Sequence, residues 1–152
     1  MTNLVRWLEE RRDCCFELLR MYLGAGLLTK GVLFAGDPGQ MATYATEGRL
    51  DAAAAIIAHY VVSVHVAGGV LLLLGLLTRL AALVNVPVLL GAVVFVHQRE
   101  GLFTRTQGME FALFVLFTLV LVVWYGPGRW SLDRVLFRQG APAVPKSRER
   151  IA

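Results

Sequence analysis

Long apolar runs constrain this chain more than any other feature of its sequence. Residues 61–77 and 80–96 are nearly continuous apolar stretches, each close to the ~20 residues with which a helix crosses a bilayer. Helices at the surface of soluble proteins have polar residues every few positions, which together form a polar face, and these runs lack such a face. Only 17% of the residues are charged, against about a quarter in soluble domains. The sequence therefore predicts an integral membrane protein.

The apolar segments are long enough for four spans. We place these at about residues 14–34, 53–77, 80–97 and 108–125. The second and third are joined by a tight hairpin, whereas longer polar stretches separate the others. After the fourth we predict a short amphipathic helix at about 131–137, lying on the membrane surface. The expected fold is all-α, a transmembrane four-helix bundle over residues 1–137, followed by a basic, disordered cytoplasmic tail at 138–152.

Lysine and arginine residues are divided unevenly between the two ends of this bundle. The end with both termini and the tight hairpin holds ten, namely Arg6, Arg11, Arg12, Arg79, Arg129, Arg134, Arg138, Lys146, Arg148 and Arg150. The other end holds four, namely Lys30, Arg49, Arg99 and Arg105. Because basic loops stay in the cytoplasm, we expect both termini on the cytoplasmic side of a bacterial inner membrane. The same asymmetry indicates contact with anionic membrane lipids and argues against a nucleic-acid partner.

Small residues recur at heptad spacing in the first two spans. Gly24 and Gly31 are seven residues apart in the first, and Gly68 and Gly75 in the second. Small side chains let helix backbones approach closely where lipid supplies no hydrophobic drive for association. We therefore predict that these two helices pack against each other through the four glycines.

Ionisable side chains at membrane depth are costly and usually serve a function. Counting about 1.5 Å per residue along each helix places Lys30, His59, His97 and Glu110 in one layer near the outer face. His65 lies about a turn deeper. These five are the candidate residues for a substrate or quinone pocket.

Each candidate also has a simpler interpretation. Lys30 can snorkel to the outer interface, and His97 and Glu110 can be solvated beside the outer loop. Arg20, near the cytoplasmic end of the first span, is expected to snorkel in the same way. His65 is mid-span, where an imidazole needs a partner.

The same side chains raise the question of a metal or haem. His59 and His97 are matched in depth, as a bis-histidine haem b requires. His65, His97 and Glu110 could imitate a site of two histidines and one carboxylate. No motif spacing links the three histidines, so we expect no metal, no haem b and no tightly bound cofactor; a quinone is the ligand that suits the pocket. No phosphate loop, dinucleotide fingerprint or nucleophile motif identifies an enzyme.

Two longer stretches carry a family resemblance. Residues 65–79 read HVAGGVLLLLGLLTR and residues 126–133 read GPGRWSLD; over roughly residues 15–135 the chain resembles the DoxX family of small four-helix bacterial membrane proteins. Family members often have a carboxylate just before the glycine pair, where this sequence has His65. In the GPGRWSLD stretch we expect Trp130 and Arg129 to anchor at the membrane interface, and Ser131 or Asp133 to cap the short helix.

The resemblance also implies a function. Some members of the family belong to membrane oxidoreductases, including the small subunit of an archaeal thiosulfate:quinone oxidoreductase. We therefore expect an accessory subunit of a quinone-linked complex, non-catalytic or weakly catalytic, with other membrane subunits or further copies of itself as partners. A small transporter or channel-like homo-oligomer, and a purely structural or assembly subunit, are the alternatives.

Overall fold

The computed structural model describes residues 2–37, 39, 43, 54–97, 101–103, 105, 107–128 and 130–137, with side chains from residue 14 onward except at 54, 55 and 137. Its helices are α1 (Thr2–Gly36), α2 (Ala54–Leu74), α3 (Thr78–Gly91), α4 (Gly108–Tyr125) and the short α5 (Leu132–Phe137). After Gly91 the chain continues directly into a π-helical segment, Ala92–Val96. The described residues contain no strand, so the predicted all-α fold is confirmed.

Four helical stretches are long and apolar enough to cross a membrane. They are Cys14–Gly36, Ile56–Leu74, Thr78–Val96 and Gly108–Tyr125. The predicted four-span membrane fold is therefore confirmed, and the chain is a multi-pass membrane protein. The tail at 138–152 and the interface residue Arg129 lie outside the described residues.

The turn between α2 and α3 falls inside an apolar run, where hydropathy gives no sign of it. Gly75 has a φ of +67°, a left-handed conformation that glycine adopts without a steric penalty. Its N–H donates to Leu72 O (3.3 Å), and the N–H of Leu76 donates to Leu71 O (2.9 Å), which is the Schellman pattern that ends many helices. The second span therefore ends at Leu74 and not at the expected Leu77.

Neighbouring helices pack in chain order. Contacts between α1 and α2 are the most extensive, followed by α3 with α4 and α2 with α3, while α1 and α4 touch only over a short stretch. We call the end with the α2–α3 turn and residues 126–128 and 130–131 the hairpin end. The end with His97 and the start of α4 is the loop end.

The core of the bundle is narrow. Leu72, Leu119 and Val122 have no exposed surface, whereas Trp124 is 81% exposed and Phe111 66% exposed. Apolar exposure on this scale marks an interaction surface in a soluble protein, but in a bilayer these side chains meet lipid tails. Close packing between the helices is thus left to small residues and to buried polar groups.

Candidate functional site

A large cavity lies between the spanning helices toward the loop end. Its volume is about 1050 Å³, and its walls come from α1, α2, α4 and the second half of α3 with its π-helical segment. Most of the lining side chains are aliphatic or aromatic. The nitrogen-bearing side chains among them are Lys30, His65 and His97, so three of the five predicted pocket residues line one cavity.

Lys30 and His65 both contact the aromatic ring of Phe34. The Lys30 ammonium is 4.7 Å from the centre of the Phe34 ring, close enough for a cation–π contact. The same ring meets the His65 imidazole edge-on, with centroids 6.1 Å apart and an angle of 62°. Among the described residues no hydrogen-bond acceptor pairs with the ammonium, so its donors remain available to a ligand in the cavity.

The tautomer of His65 follows from its backbone contact. His65 is 5% exposed, and its Nδ1 lies 3.0 Å from Val61 O. Since a carbonyl oxygen only accepts, Nδ1 carries the hydrogen and donates it. In the neutral ring Nε2 is then the nitrogen left to accept a hydrogen bond from another group.

His97 follows directly on the π-helical segment. Ala92, Phe95 and Val96 of that segment line the cavity together with His97. Short π-helical stretches inside α-helices are rare and frequently occur at functional sites, because the extra residue per turn redirects the side chains that follow. The local backbone thus gives His97 its place in the cavity wall.

The other two predicted pocket residues are not among those that line the cavity. His59 is exposed. Glu110 accepts a hydrogen bond from the backbone N–H of Phe103 through Oε1, and it lies in the first turn of α4, where a negative charge suits the helix dipole. Its contact therefore ties the loop before α4 to the start of that helix.

The glycines have more varied roles than one helix interface. A Cβ built at Gly24 would lie 2.7 Å from Leu73 N, and one at Gly31 would lie 2.9 Å from Val66 N, so both are at the α1–α2 contact. Gly68 was expected there too, but it faces α3, where an added Cβ would lie 2.0 Å from Asn85 Nδ2. Gly69 lies against α1 instead, where an added Cβ would be 2.5 Å from Leu28 N. Gly75 ends α2 at the turn, where an added Cβ would be 2.7 Å from Arg20 Nη1 of α1.

A polar network fills the hairpin end, and most of its members are not predicted from the sequence. Glu17 and Arg20 are each 1% exposed. Arg20 donates to Leu72 O and to Trp130 O at 2.9 Å, and Glu17 Oε1 accepts from the Trp130 N–H at 2.8 Å. The expectation that Arg20 snorkels to the interface is wrong, because the segment after α4 folds over it and supplies backbone partners.

Asp133 completes this hairpin-end network from α5. Its two carboxylate oxygens accept from the N–H groups of Leu77 (2.6 Å) and Thr78 (2.9 Å), so Asp133 caps α3 across the chain. Ser131 caps α5 itself, since its Oγ accepts from the Arg134 N–H at 3.3 Å. Glu17, Arg20, Trp130 and Asp133 thus bind the first turns of the spanning stretch Cys14–Gly36, the α2–α3 turn and the segment after α4 together.

Comparison with known proteins supports the resemblance to the DoxX family. The sequence model of the DoxX family matches residues 16–98, more than half of the chain. The chain belongs to the DoxX family. It is also 32% identical over 131 residues to the uncharacterized membrane protein Rv3486 of Mycobacterium tuberculosis, with 80% of each chain covered. No solved structure matches the chain.

The DoxX match takes in most of the candidate chemistry. Lys30, His65 and His97 of the cavity fall within residues 16–98, as do Glu17 and Arg20 of the hairpin-end network. Among the described side chains no group of three histidine, cysteine or acidic residues is placed to hold a metal ion. The lysine and imidazole groups in the cavity can form hydrogen bonds and exchange protons.

Proposed function

We propose that this DoxX-family protein is an accessory subunit of a quinone-linked membrane oxidoreductase, and that its cavity binds the quinone headgroup. The observation that carries the proposal is an apolar cavity at membrane depth lined by Lys30, His65 and His97. A quinone combines a flat apolar ring with two carbonyl acceptors. Lys30 supplies three donors and the imidazole of His97 one or two, so these two groups are complementary to those acceptors.

Size and access support the same ligand class. The cavity, about 1050 Å³, is at the upper end of the ~300–1,000 Å³ usual for small-molecule sites. Tyr22, Phe111 and Phe114 line it and are also exposed, at 74%, 66% and 56%. The cavity thus communicates with the lipid-facing surface between α1 and α4, the side from which a lipophilic quinone would enter.

In this proposal the chain binds and orients the headgroup, and a partner subunit supplies the electrons. Reduction of a quinone to a quinol consumes two electrons and two protons. Lysine and imidazole groups can hold or pass a proton at a carbonyl oxygen, so Lys30 and His97 are the residues that we assign to the headgroup.

The hairpin-end network favours binding over transport. None of Glu17, Arg20, Trp130 and Asp133 lines the cavity, and among the described residues the polar groups at the two ends of the bundle form separate sets. A channel or transporter would need a continuous polar path, which this separation does not support.

A matched pair of histidine variants tests the quinone site. Equilibrium dialysis of a short-chain quinone against the protein in lipid nanodiscs gives the dissociation constant for the wild type, His97→Leu and His59→Leu. We expect His97→Leu to bind about three- to tenfold more weakly, the range for one lost hydrogen bond, and Lys30→Met to do the same. His59→Leu should match the wild type because His59 is not part of the cavity wall. Equal constants for all four proteins would refute the quinone site.

The accessory role and the orientation need separate experiments. Lys30→Met in native membranes should slow quinone-dependent turnover of the partner complex while leaving that complex assembled on a native gel. Loss of the complex itself would instead indicate the assembly alternative. We also propose that the hairpin end faces the cytoplasm of a bacterial inner membrane: a C-terminal fluorescent-protein fusion should then fluoresce, and a C-terminal alkaline phosphatase fusion should be inactive.

A further inference from the structure

A second cavity, of about 560 Å³, lies at the hairpin end and shares no residue with the first. Its walls combine the start of α3 with the segment after α4 and the first turn of α5; they are Leu77, Thr78, Arg79, Leu80, Pro127, Gly128, Asp133 and Arg134. We propose that this cavity binds the phosphate headgroup of an anionic phospholipid, with Arg79 and Arg134 as the residues that hold the phosphate.

The two arginines come from different elements and converge on one cavity. Arg79 lies in the first turn of α3 and Arg134 in α5. Neither guanidinium makes a hydrogen bond or ion pair with another described residue, so both forks are open to a ligand. Guanidinium groups bind phosphate oxygens in a bidentate geometry and are less strongly hydrated than ammonium groups.

The guanidinium of Arg79 packs against the backbone at Gly126. A Cβ built at Gly126 would be 2.9 Å from Arg79 Nε and 3.1 Å from its Nη2, so the guanidinium packs directly on the chain where α4 ends. Gly126 has a φ of +85°. The guanidinium thus lies beside the cavity, at a position where a side chain on residue 126 would displace it.

Asp133 is the acidic member of this cavity, and its charge is already engaged. Both of its carboxylate oxygens accept backbone hydrogen bonds from Leu77 and Thr78 at the start of α3, where the helix dipole also compensates a negative charge. Two arginines against one aspartate leave the cavity with a net charge of +1, which matches a phosphodiester.

The surroundings select a lipid over a soluble anion. Leu77 and Leu80 of the cavity are 43% and 53% exposed, and Val135 and Leu136 of α5 are 61% and 60% exposed. These apolar side chains belong to the α2–α3 turn, to α3 and to α5, the same region of the chain as the two arginines. A phospholipid can place its phosphate between the guanidinium groups and its acyl chains along this apolar flank, whereas free phosphate gains nothing from it.

Native mass spectrometry of the full-length protein, purified in mild detergent and titrated with phosphatidylglycerol, tests the site. We expect a bound lipid in the wild type and about a fivefold weaker apparent affinity in Arg79→Gln and in Arg134→Gln, the usual contribution of one basic residue near an anionic surface. Arg105→Gln, at the loop end, is the matched control and should bind like the wild type. Arg134→Lys keeps the charge and should recover part of the loss.

Two further measurements distinguish a phospholipid from free phosphate as the ligand. Inorganic phosphate at millimolar concentration should not displace the lipid, and phosphatidylcholine should bind less tightly than phosphatidylglycerol. Displacement by inorganic phosphate, or equal losses in Arg79→Gln, Arg134→Gln and Arg105→Gln, would overturn the proposal. Circular dichroism checks that each variant keeps its helical content. If Arg79→Gln does not fold, the comparison of Arg134→Gln with Arg134→Lys tests the proposal.

Discussion

Replacing Arg20 with methionine removes the central donor of the hairpin-end network while keeping a long, unbranched side chain. Arg20 is 1% exposed and donates to backbone carbonyls of two different segments, Leu72 O at the end of α2 and Trp130 O after α4. Both carbonyls would lose a charged donor, and the buried carboxylate of Glu17 would lose a nearby positive charge.

The magnitude follows from these contacts. Hydrogen bonds to a charged group contribute about 1.5–3 kcal/mol each, which gives about 3–6 kcal/mol for the two bonds to Leu72 and Trp130. Removing one partner of a buried charged group usually costs about 3–5 kcal/mol. We therefore expect Arg20→Met to lower the free energy of unfolding by about 3–5 kcal/mol.

Unfolding by sodium dodecyl sulfate in mixed micelles, followed by circular dichroism, measures this loss. Arg20→Lys keeps the charge but not the planar fork, so it should lose about half as much as Arg20→Met. Arg105→Met removes an exposed arginine at the loop end and should change stability by less than about 0.5 kcal/mol. An Arg20→Met protein as stable as Arg105→Met would refute the assignment of Arg20 to a buried structural network.

Four further substitutions probe other contacts, the first three by the same unfolding assay and Glu110→Ala by hydrogen exchange. Gly24→Ala should destabilise the protein by about 1–3 kcal/mol, because its Cβ would lie 2.7 Å from the α2 backbone. Gly26→Ala is the control and should be neutral or stabilising, because a Cβ there would have nothing within 4 Å. Equal effects of the two substitutions would contradict the α1–α2 contact. Asp133→Ala should lose about 1–2 kcal/mol by uncapping α3, and wild-type stability would exclude that cap. Glu110→Ala should speed hydrogen exchange at the Phe103 amide, and unchanged exchange would refute the loop contact.

Hydropathy predicts the number of spans well because the length of an apolar run reports membrane crossing directly. It cannot locate the α2–α3 turn, since Gly75 lies within such a run and the turn depends on its left-handed backbone. The rise per residue along each helix predicts that Lys30 and His97 lie at the same depth in the membrane, and both line the cavity. It could not tell which way each helix faces, so Glu110 was grouped with them although its partner is a backbone amide.

Burial of Arg20 could not be predicted from its neighbours in sequence. A single arginine one turn or more inside a span is compatible with snorkelling, and what decides its fate is a segment more than a hundred residues later that folds back over it. The usable signal was the spacing of Glu17 and Arg20 on one helix face together with the GPGRWSLD stretch, because a polar turn after the last span needs partners at that end of the bundle.

The polar side chains at the two ends of the bundle differ in the groups that they contact within the protein. At the hairpin end the carboxylate of Asp133 and the guanidinium of Arg20 are bonded to backbone groups of other segments. In the cavity the Lys30 ammonium meets only an aromatic ring among the described residues, and His65 uses Nδ1 alone. His65 is buried, and a buried imidazole nitrogen without a hydrogen bond is costly unless a ligand bonds to it. We therefore propose the cavity as the place where this protein binds a ligand.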